Sequence, residues 1–270
     1  MPYLRARPLS DGPLVRSADV ACSAPRSAAG AVERSDAFEL ILPRRGVFVL
    51  HASGGTAVAD AATALVLRPG DEYRVSHPVD GGDRCTALAF APDVFEEALP
   101  ARRAAAHVVL RSQTQLIATF TRARLAGGVS PLAAEEGALL LLASVAGDAG
   151  AAPPPAAPSP RVEQVRELLA ADPAAPWRLR DVAAAVHCSP FHLARQFRAA
   201  TGETMARYVT RLRLALALDR IAGGEEDLAR LAHDVGFAHH SHFSARFRAL
   251  FSLTPSQVRT IVTAGPAGAA

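Results

Sequence analysis

Two stretches of the chain, HLARQFRA at residues 192–199 and HFSARFRA at residues 242–249, are copies of one pattern 50 positions apart. His192 corresponds to His242 in this alignment. Upstream, Val186 corresponds to Val235 at a shift of 49. The second copy therefore has one extra residue between these two matching segments. Each copy predicts a short helix, a tight turn and a longer second helix, which is the helix-turn-helix pattern in duplicate.

The apolar spacing in each second helix separates a buried face from an exposed one. Leu193 and Phe197 are four residues apart, as are Phe243 and Phe247, so we expect them to pack inward. The opposite face carries small and polar residues that fit a DNA major groove and arginines that suit phosphates. The candidate DNA-binding residues are Phe191, His192, Ala194, Arg195, Arg198, His239, His240, Ser241, His242, Ser244, Arg246 and Arg248.

The crowding of histidines at the start of the second copy raises the alternative of a metal site. His239 and His242 have the spacing of a ligand pair, but His240 points elsewhere. No carboxylate or cysteine lies nearby at ligand spacing, and His192 has no histidine companions. The pattern favours a structural or phosphate-facing role, so the sequence predicts no metal site and no cofactor.

The region around both copies is helical in period. The segment SPFHLARQFRAATG is predicted to begin at the N-cap Ser189, with Pro190 in the first turn, and to end at Gly202. A long helix within MARYVTRLRLALALDRIAGG, residues 205–224, joins the two units.

These motifs resemble the AraC/XylS family of bacterial transcription regulators over about residues 161–262. The run GFAHHSHFSARFR at 236–248, followed by TPSQVR at 254–259, is the most specific part. The resemblance implies an all-α domain whose two helix-turn-helix units bind successive major-groove segments. Two departures stand out: Ala245 replaces a frequent arginine, and Ala238 replaces a frequent serine cap.

The chain before this region has a different pattern. Short apolar or alternating runs, punctuated by Gly, Pro and Asp, predict a small antiparallel sheet or barrel. These runs are AFELILP, GVFVLHA, TALVLRPG, RVSHPV and CTALAFAP. We assign residues 1–147 to this sensor or dimerisation domain. We assign the Pro/Ala-rich residues 148–160 to a linker that lets each half fold alone.

Two helical stretches precede the linker, QTQLIATFTRARLA and PLAAEEGALLLLASVAG. The second is apolar over a wider stripe than one helix needs. Packing on the barrel and a homodimer interface through Leu139–Val145 are equally compatible with this pattern.

The N-terminal domain resembles, more weakly, the cupin-like sensor domain of the same family. VLRPGDEYRVSHP is similar to a cupin strand, with Tyr73 where an enzyme would have a metal-binding histidine. The overall class is thus α+β and multidomain, a cupin-like β-barrel with a helical hairpin followed by the all-α domain. His51, Tyr73 and His77 are weak candidates for effector contacts.

Charge and cysteine usage limit the function further. Residues 161–270 hold 14 Arg against 10 Asp and Glu, whereas the rest of the chain is close to balance, so this region suits a polyanionic partner. The 3 cysteines lack CxxC spacing and are expected to be free thiols. No signal peptide or membrane-length apolar run is evident, which predicts a cytoplasmic protein.

The sequence therefore predicts a DNA-binding transcriptional regulator, not an enzyme, with double-stranded DNA as its partner. A small-molecule effector, a homodimer and, for an activator, RNA polymerase are further expected partners. The alternative is a metal-dependent cupin enzyme that carries a helix-turn-helix appendage.

Overall fold

The computed structural model describes residues 3–53, 55–100, 107–150 and 159–264. A strand-rich part comes first and an all-helical part follows, which confirms the α+β organisation predicted from the sequence. None of the helices in these ranges combines the length and apolar composition needed to cross a membrane.

The N-terminal domain contains two antiparallel sheets. The larger has the order β1-β2-β9-β4-β7-β10 and the smaller has the order β3-β8-β5-β6. The strands are β1 (Leu4–Asp11), β2 (Val15–Cys22), β3 (Glu33–Arg34), β4 (Phe38–Arg45), β5 (Phe48–Ala52), β6 (Gly55–Ala59), β7 (Thr63–Leu67), β8 (Glu72–Ser76), β9 (Asp83–Phe90) and β10 (His107–Val109).

The two sheets face each other across one apolar layer. Leu50 of the smaller sheet and Leu65 and Leu67 of the larger are nearly inaccessible to solvent and belong to the same cluster. Burial of alternate residues on both sheets accounts for the alternating pattern of the sequence. This arrangement agrees with the expected cupin-like barrel.

Among the described residues, the N-terminal domain also contains the helices α1 (Pro92–Ala98), α2 (Ser112–Ala126) and α3 (Pro131–Gly150). The α3 residues Leu141, Leu142 and Val145 are buried against the outer side of the larger sheet. Leu140, on the opposite side of α3, is 66% exposed. Most of the apolar stripe therefore packs on the barrel, and only its outer edge remains for a partner.

Within residues 159–264 the C-terminal domain has seven helices. They are α4 (Pro160–Ala171), α5 (Leu179–Ala185), α6 (Pro190–Thr201), α7 (Met205–Ala222), α8 (Leu228–Asp234), α9 (His240–Phe251) and α10 (Pro255–Thr263). Helices α5 and α6 form the first helix-turn-helix unit, and α8 and α9 form the second. The predicted duplication and the long joining helix are both confirmed.

Helix α7 contributes to both units. Its first half places Tyr208, Val209 and Leu212 in the core of the first unit. Its second half places Leu218 and Ile221 in the core of the second. One continuous helix thus fixes the two units relative to each other.

The first unit shares its core with the barrel. Val49 and Val58 of the smaller sheet lie in one cluster with Val162 and Val165 of α4. Helix α3 extends to Gly150, so the first residues of the expected linker are helical, and residues 151–158 lie outside the described ranges. The sequence predicted that each half folds alone, but that prediction did not include this shared core. Separating the halves would expose these apolar side chains to water.

Candidate nucleic-acid interface

Helix α6 has a complete set of local start and stop signals. The Ser189 side chain accepts a hydrogen bond from the backbone N–H of His192 at 3.3 Å, and Pro190 occupies the first turn. Gly202 ends the helix in the left-handed conformation, with φ of 75°. These are the boundaries that the sequence predicts.

The two faces of α6 are as expected. Leu193 and Phe197 are completely buried. Arg195 and Arg198 are exposed, and Phe191 is 75% exposed. A large aromatic ring on the surface at the start of a helix offers apolar contact to a thymine methyl group.

Helix α9 has weaker end signals. Its N-cap is His239, which makes no side-chain capping bond, and Ala238 lies one residue outside. Ala238 is therefore not at the cap position where we expected it, because the extra residue of the second copy precedes the cap. At the other end Ser252 adopts φ of 60° where the first copy has Gly202.

The exposed face of α9 is partly occupied by contacts within the helix. Arg246 Nε donates to His242 Nε2 at 3.2 Å, and the His242 ring meets the Phe237 ring edge-on at 5.6 Å. His240 Nε2 and the Ser244 hydroxyl lie 3.4 Å apart. These contacts give two of the crowded histidines partners in the protein.

The turns of the two units have the same hydrogen bonds. In the first, the N–H of His187 donates to the carbonyl of Ala184. In the second, the N–H of Gly236 donates in the same way to His233. His187 and Gly236 both have positive φ, 51° and 89° respectively. The equivalence extends the 49-residue shift of the sequence through the turn.

Arg213 of α7 connects the second turn to the loop before α5, a role that the sequence analysis missed. Its guanidinium donates to the carbonyl oxygens of Gly236 at 2.7 Å, Pro173 at 2.6 Å and Ala175 at 2.8 Å. Three charge-assisted bonds from one side chain fix both segments. The sequence offers no specific signal for this role, because α7 also contains Arg207, Arg211 and Arg220.

The first unit also meets the barrel through a buried polar network. The Tyr208 hydroxyl donates to Asp60 Oδ2 at 2.6 Å, and Arg166 lies 3.4 Å from the same oxygen. Arg166 also bonds Glu163 at 3.3 Å. Burial and the neighbouring Asp60 carboxylate hold the pKa of Tyr208 well above its usual value, so it stays a neutral donor.

A second network joins the barrel to the far half of α7. Asp219 accepts from Arg44 at 2.9 Å and from Arg45 at 2.8 Å. Arg44 also lies 3.3 Å from Asp19, which accepts from Arg122 of α2 at 2.8 Å. Burial opposes ionisation of Asp19, but these arginines outweigh it and lower its pKa.

The three weak effector candidates do not converge. In the pairing of β5 with β8, His51 is opposite Arg74, whereas Tyr73 is opposite Ala52. Because neighbouring residues of a strand point to opposite faces, His51 and Tyr73 lie on different sides of the sheet. His51 bonds Ser76 at 2.7 Å, whereas His77 is buried beside Asp83. The structure does not bring these three residues together, and their roles in effector binding stay predictions.

Tyr73 lies in the apolar layer between the sheets. Burial and the nearby carboxylates Glu33 and Glu39 raise the pKa of Tyr73 to about 12. The hydroxyl therefore remains protonated at neutral pH, as a donor rather than a metal ligand.

Comparison with known proteins supports the interpretation of the C-terminal domain. Residues 182–261 match the model of a helix-turn-helix domain family. A putative AraC-like transcription regulator of Streptomyces antibioticus is 32% identical over 100 residues, 37% of this chain and 33% of that protein. The HTH-type transcriptional activator RhaS of Pectobacterium carotovorum is 40% identical over 67 residues, 25% of this chain and 24% of that protein. A crystal structure of ToxT from Vibrio cholerae O395 aligns with a TM-score of 0.38 at 12% identity, over 97% of this chain and 99% of that one.

The fold and these matches define a helix-turn-helix protein. The matched segments span about a third or less of the curated relatives. Over these segments the chain is similar to AraC-like transcription regulators, as the sequence motifs indicated.

Proposed function

We propose that the protein is a sequence-specific, cytoplasmic DNA-binding transcriptional regulator. The observation that carries this proposal is the pair of helix-turn-helix units, each with an exposed polar helix, held by one helix and one arginine. Recognition helices fixed in this way present two surfaces to one face of a duplex. The excess of arginine in the same region supports a polyanionic partner.

Within the interface we propose different roles for Arg195 and Arg198. Arg195 is exposed near the middle of α6 and reads a base edge. Arg198 is in the last turn, as is its equivalent Arg248 in α9, and both bind phosphate. The other candidate residues on α6 and α9 remain predicted contacts to base edges in the DNA grooves or to the DNA backbone.

The test is a binding titration of the full-length protein. Nuclease protection upstream of the gene and its neighbours first supplies the bound sequence, and a scrambled duplex of equal length supplies the reference. Arg195→Ala should weaken specific binding by about 1–3 kcal/mol and leave the scrambled duplex nearly unaffected. Arg198→Ala should weaken both duplexes alike and flatten the salt dependence.

The control is Arg5→Ala, which removes the same charge from the exposed strand β1. It should change neither affinity. Equal losses on both duplexes for Arg195→Ala would refute its base-reading role, and absence of any protected sequence would refute the proposed function.

We propose that the N-terminal domain regulates DNA binding through its contacts with both halves of α7. Tyr208 and Asp219, near opposite ends of that helix, both bond barrel residues. A barrel ligand that shifts one strand would therefore bias the orientation of both units. A small-molecule effector and, for an activator, contact with RNA polymerase stay predictions.

We also propose a homodimer through the outer edge of α3, where Leu132 is 67% exposed in addition to Leu140. Leu140→Glu should shift a dimer to monomer in sedimentation without loss of fold. Leu4→Glu, at an exposed residue of β1, is the control. Unchanged sedimentation of Leu140→Glu, or a wild-type protein that is monomeric throughout, would exclude this interface. Leu141 is unsuitable for the test because it is buried.

A further inference from the structure

A cluster of metal-ligating groups lies in the two-sheet domain, where strand β2 ends and strand β9 begins. The ligand atoms of Cys22, His77 and Asp83 all lie within 4.8 Å of one another. His77 Nε2 is 3.6 Å from Cys22 Sγ and 3.0 Å from Asp83 Oδ2. His77 and Asp83 are buried, whereas Cys22 is partly exposed, so solvent reaches the cluster beside Cys22.

The backbone aims these side chains at one point. In the antiparallel pairing of β2 with β9, Cys22 is directly opposite Asp83, so both side chains project from the same face. Cys85 follows two residues later on that face, and its thiol donates to Asp83 Oδ1 at 3.1 Å. His77 is anchored by two backbone hydrogen bonds with Ser27, at 2.9 and 3.1 Å.

The turn between His77 and Asp83 lies directly against the end of β2. Gly82 in this turn has φ of 66°, and a side chain there would overlap the carbonyl group of Cys22. Only glycine allows so close an approach. The ligand groups are thus held together by the backbone rather than by surface contacts.

We propose that Cys22, His77 and Asp83 bind one Zn²⁺ ion, with Cys85 orienting the aspartate. A tetrahedral zinc with bonds of about 2.0–2.3 Å places neighbouring ligand atoms about 3.3–3.8 Å apart. Small side-chain rotations bring the three groups to that spacing.

The charges of the ligand set also match a divalent ion. A Cys22 thiolate and the Asp83 carboxylate neutralise the ion, the neutral imidazole adds nitrogen, and the Cys22 thiol proton is released to solvent. Thiolate and imidazole select against Mg²⁺ and Ca²⁺, which prefer oxygen ligands. Cys22 lies 55 residues before His77, which is why sequence spacing predicted no metal.

The test uses the reduced, full-length protein after chelator treatment. Titrated Co²⁺ should bind at one ion per chain and produce the near-ultraviolet absorption of a thiolate–cobalt bond, which Zn²⁺ then abolishes. Zn²⁺ should raise the melting temperature, and Mg²⁺ should not. Cys22→Ser, His77→Gln and Asp83→Asn should each weaken binding at least about tenfold.

Two control proteins separate this site from other thiols and histidines. Cys188→Ser, in the C-terminal domain, should bind like the wild type. His239→Ala combined with His240→Ala and His242→Ala should do the same. If that triple variant loses the ion and Cys22→Ser keeps it, the proposed location is wrong.

The wild-type protein alone can also refute the proposal. Less than stoichiometric binding, or cobalt bound without the thiolate absorption, would leave the cluster as a hydrogen-bonded network. This decision does not depend on the folding of a variant. Because Cys22, His77 and Asp83 are in the strand-rich domain and not on α6 or α9, Cys22→Ser should retain operator binding, so either proposal can fail without the other.

Discussion

The two helix-turn-helix units have the same turn hydrogen bonds but different supports. The first shares an apolar core with the barrel and adds the buried contacts of Asp60 with Tyr208 and Arg166. The second has a core of its own, flanked by Leu116 and Phe120 of α2. Although the two units have duplicated sequences, we therefore expect their stabilities to depend on the N-terminal domain to different extents.

The largest effect should follow from Asp60→Asn. This change keeps the shape of the side chain but leaves Arg166 buried without its main counter-charge, at a cost of about 3–5 kcal/mol. Hydrogen exchange should increase in α4–α6 far more than in α8–α9. Thermal melting measures the total loss.

Two matched variants test this interpretation. Asp219→Asn should lower the free energy of unfolding by less, because Arg45, which binds Asp219, is partly exposed to solvent. Arg166→Met together with Glu163→Gln, added to Asp60→Asn, should recover much of the loss, because no charge of this buried cluster is then left without a partner. Equal exchange in both units for Asp60→Asn would show that they do not differ in their dependence on the barrel.

The next effect should follow from Gly236→Ala in the turn of the second unit. At φ of 89° an added Cβ would lie 2.6 Å from the carbonyl oxygen of Ala174 and would displace Arg213. We expect a loss of about 1–3 kcal/mol of stability, with weaker binding at the operator segment that the second unit contacts. The reverse change at the equivalent position, His187→Gly, should not destabilise the first unit. If it does, the His187 side chain has a role beyond the turn.

Features that depend on residues close together in the sequence were predictable, whereas contacts between residues far apart in the sequence were not. The recognition helices were predictable because their signals are local in sequence. Leu193 and Phe197 lie one helical turn apart, and the capping residues directly flank the helix. Strand β1 was missed because nearly all its residues are exposed and lack an apolar pattern. Asp60 and Tyr208 meet across 148 residues, and Cys22 and His77 across 55, so no local pattern signals either contact.

A smaller effect should follow from Ser252→Gly at the end of α9. Serine in the left-handed conformation costs about 1–2 kcal/mol, and glycine there removes most of it. The melting temperature should rise. The mirror change, Gly202→Ser at the end of α6, should lower it by a similar amount. A decrease with Ser252→Gly would mean that unfolded-chain entropy outweighs the backbone strain.

The smallest effect concerns pH and the contact between the first unit and the barrel. His107 of β10 is partly buried near Arg166, and burial and that positive charge lower its pKa below 6.5. The folded protein therefore binds a proton there less readily than the unfolded chain. Its contribution to stability is complete above pH 6.5 and is lost as the pH falls through the lowered pKa.

The corresponding measurement is the unfolding free energy between about pH 7 and pH 5, with His107→Gln as the comparison. Glutamine keeps the polarity of the site without titrating, so this variant should show a shallower pH dependence. Hydrogen exchange in the wild type should rise first in α4, which carries Arg166, and not in α9. An unchanged slope for His107→Gln would show that His107 is not the source of the acid sensitivity in this range. Asp19 is not an alternative source there, because its pKa is lowered from 3.8 and its stabilisation is lost only at more acidic pH.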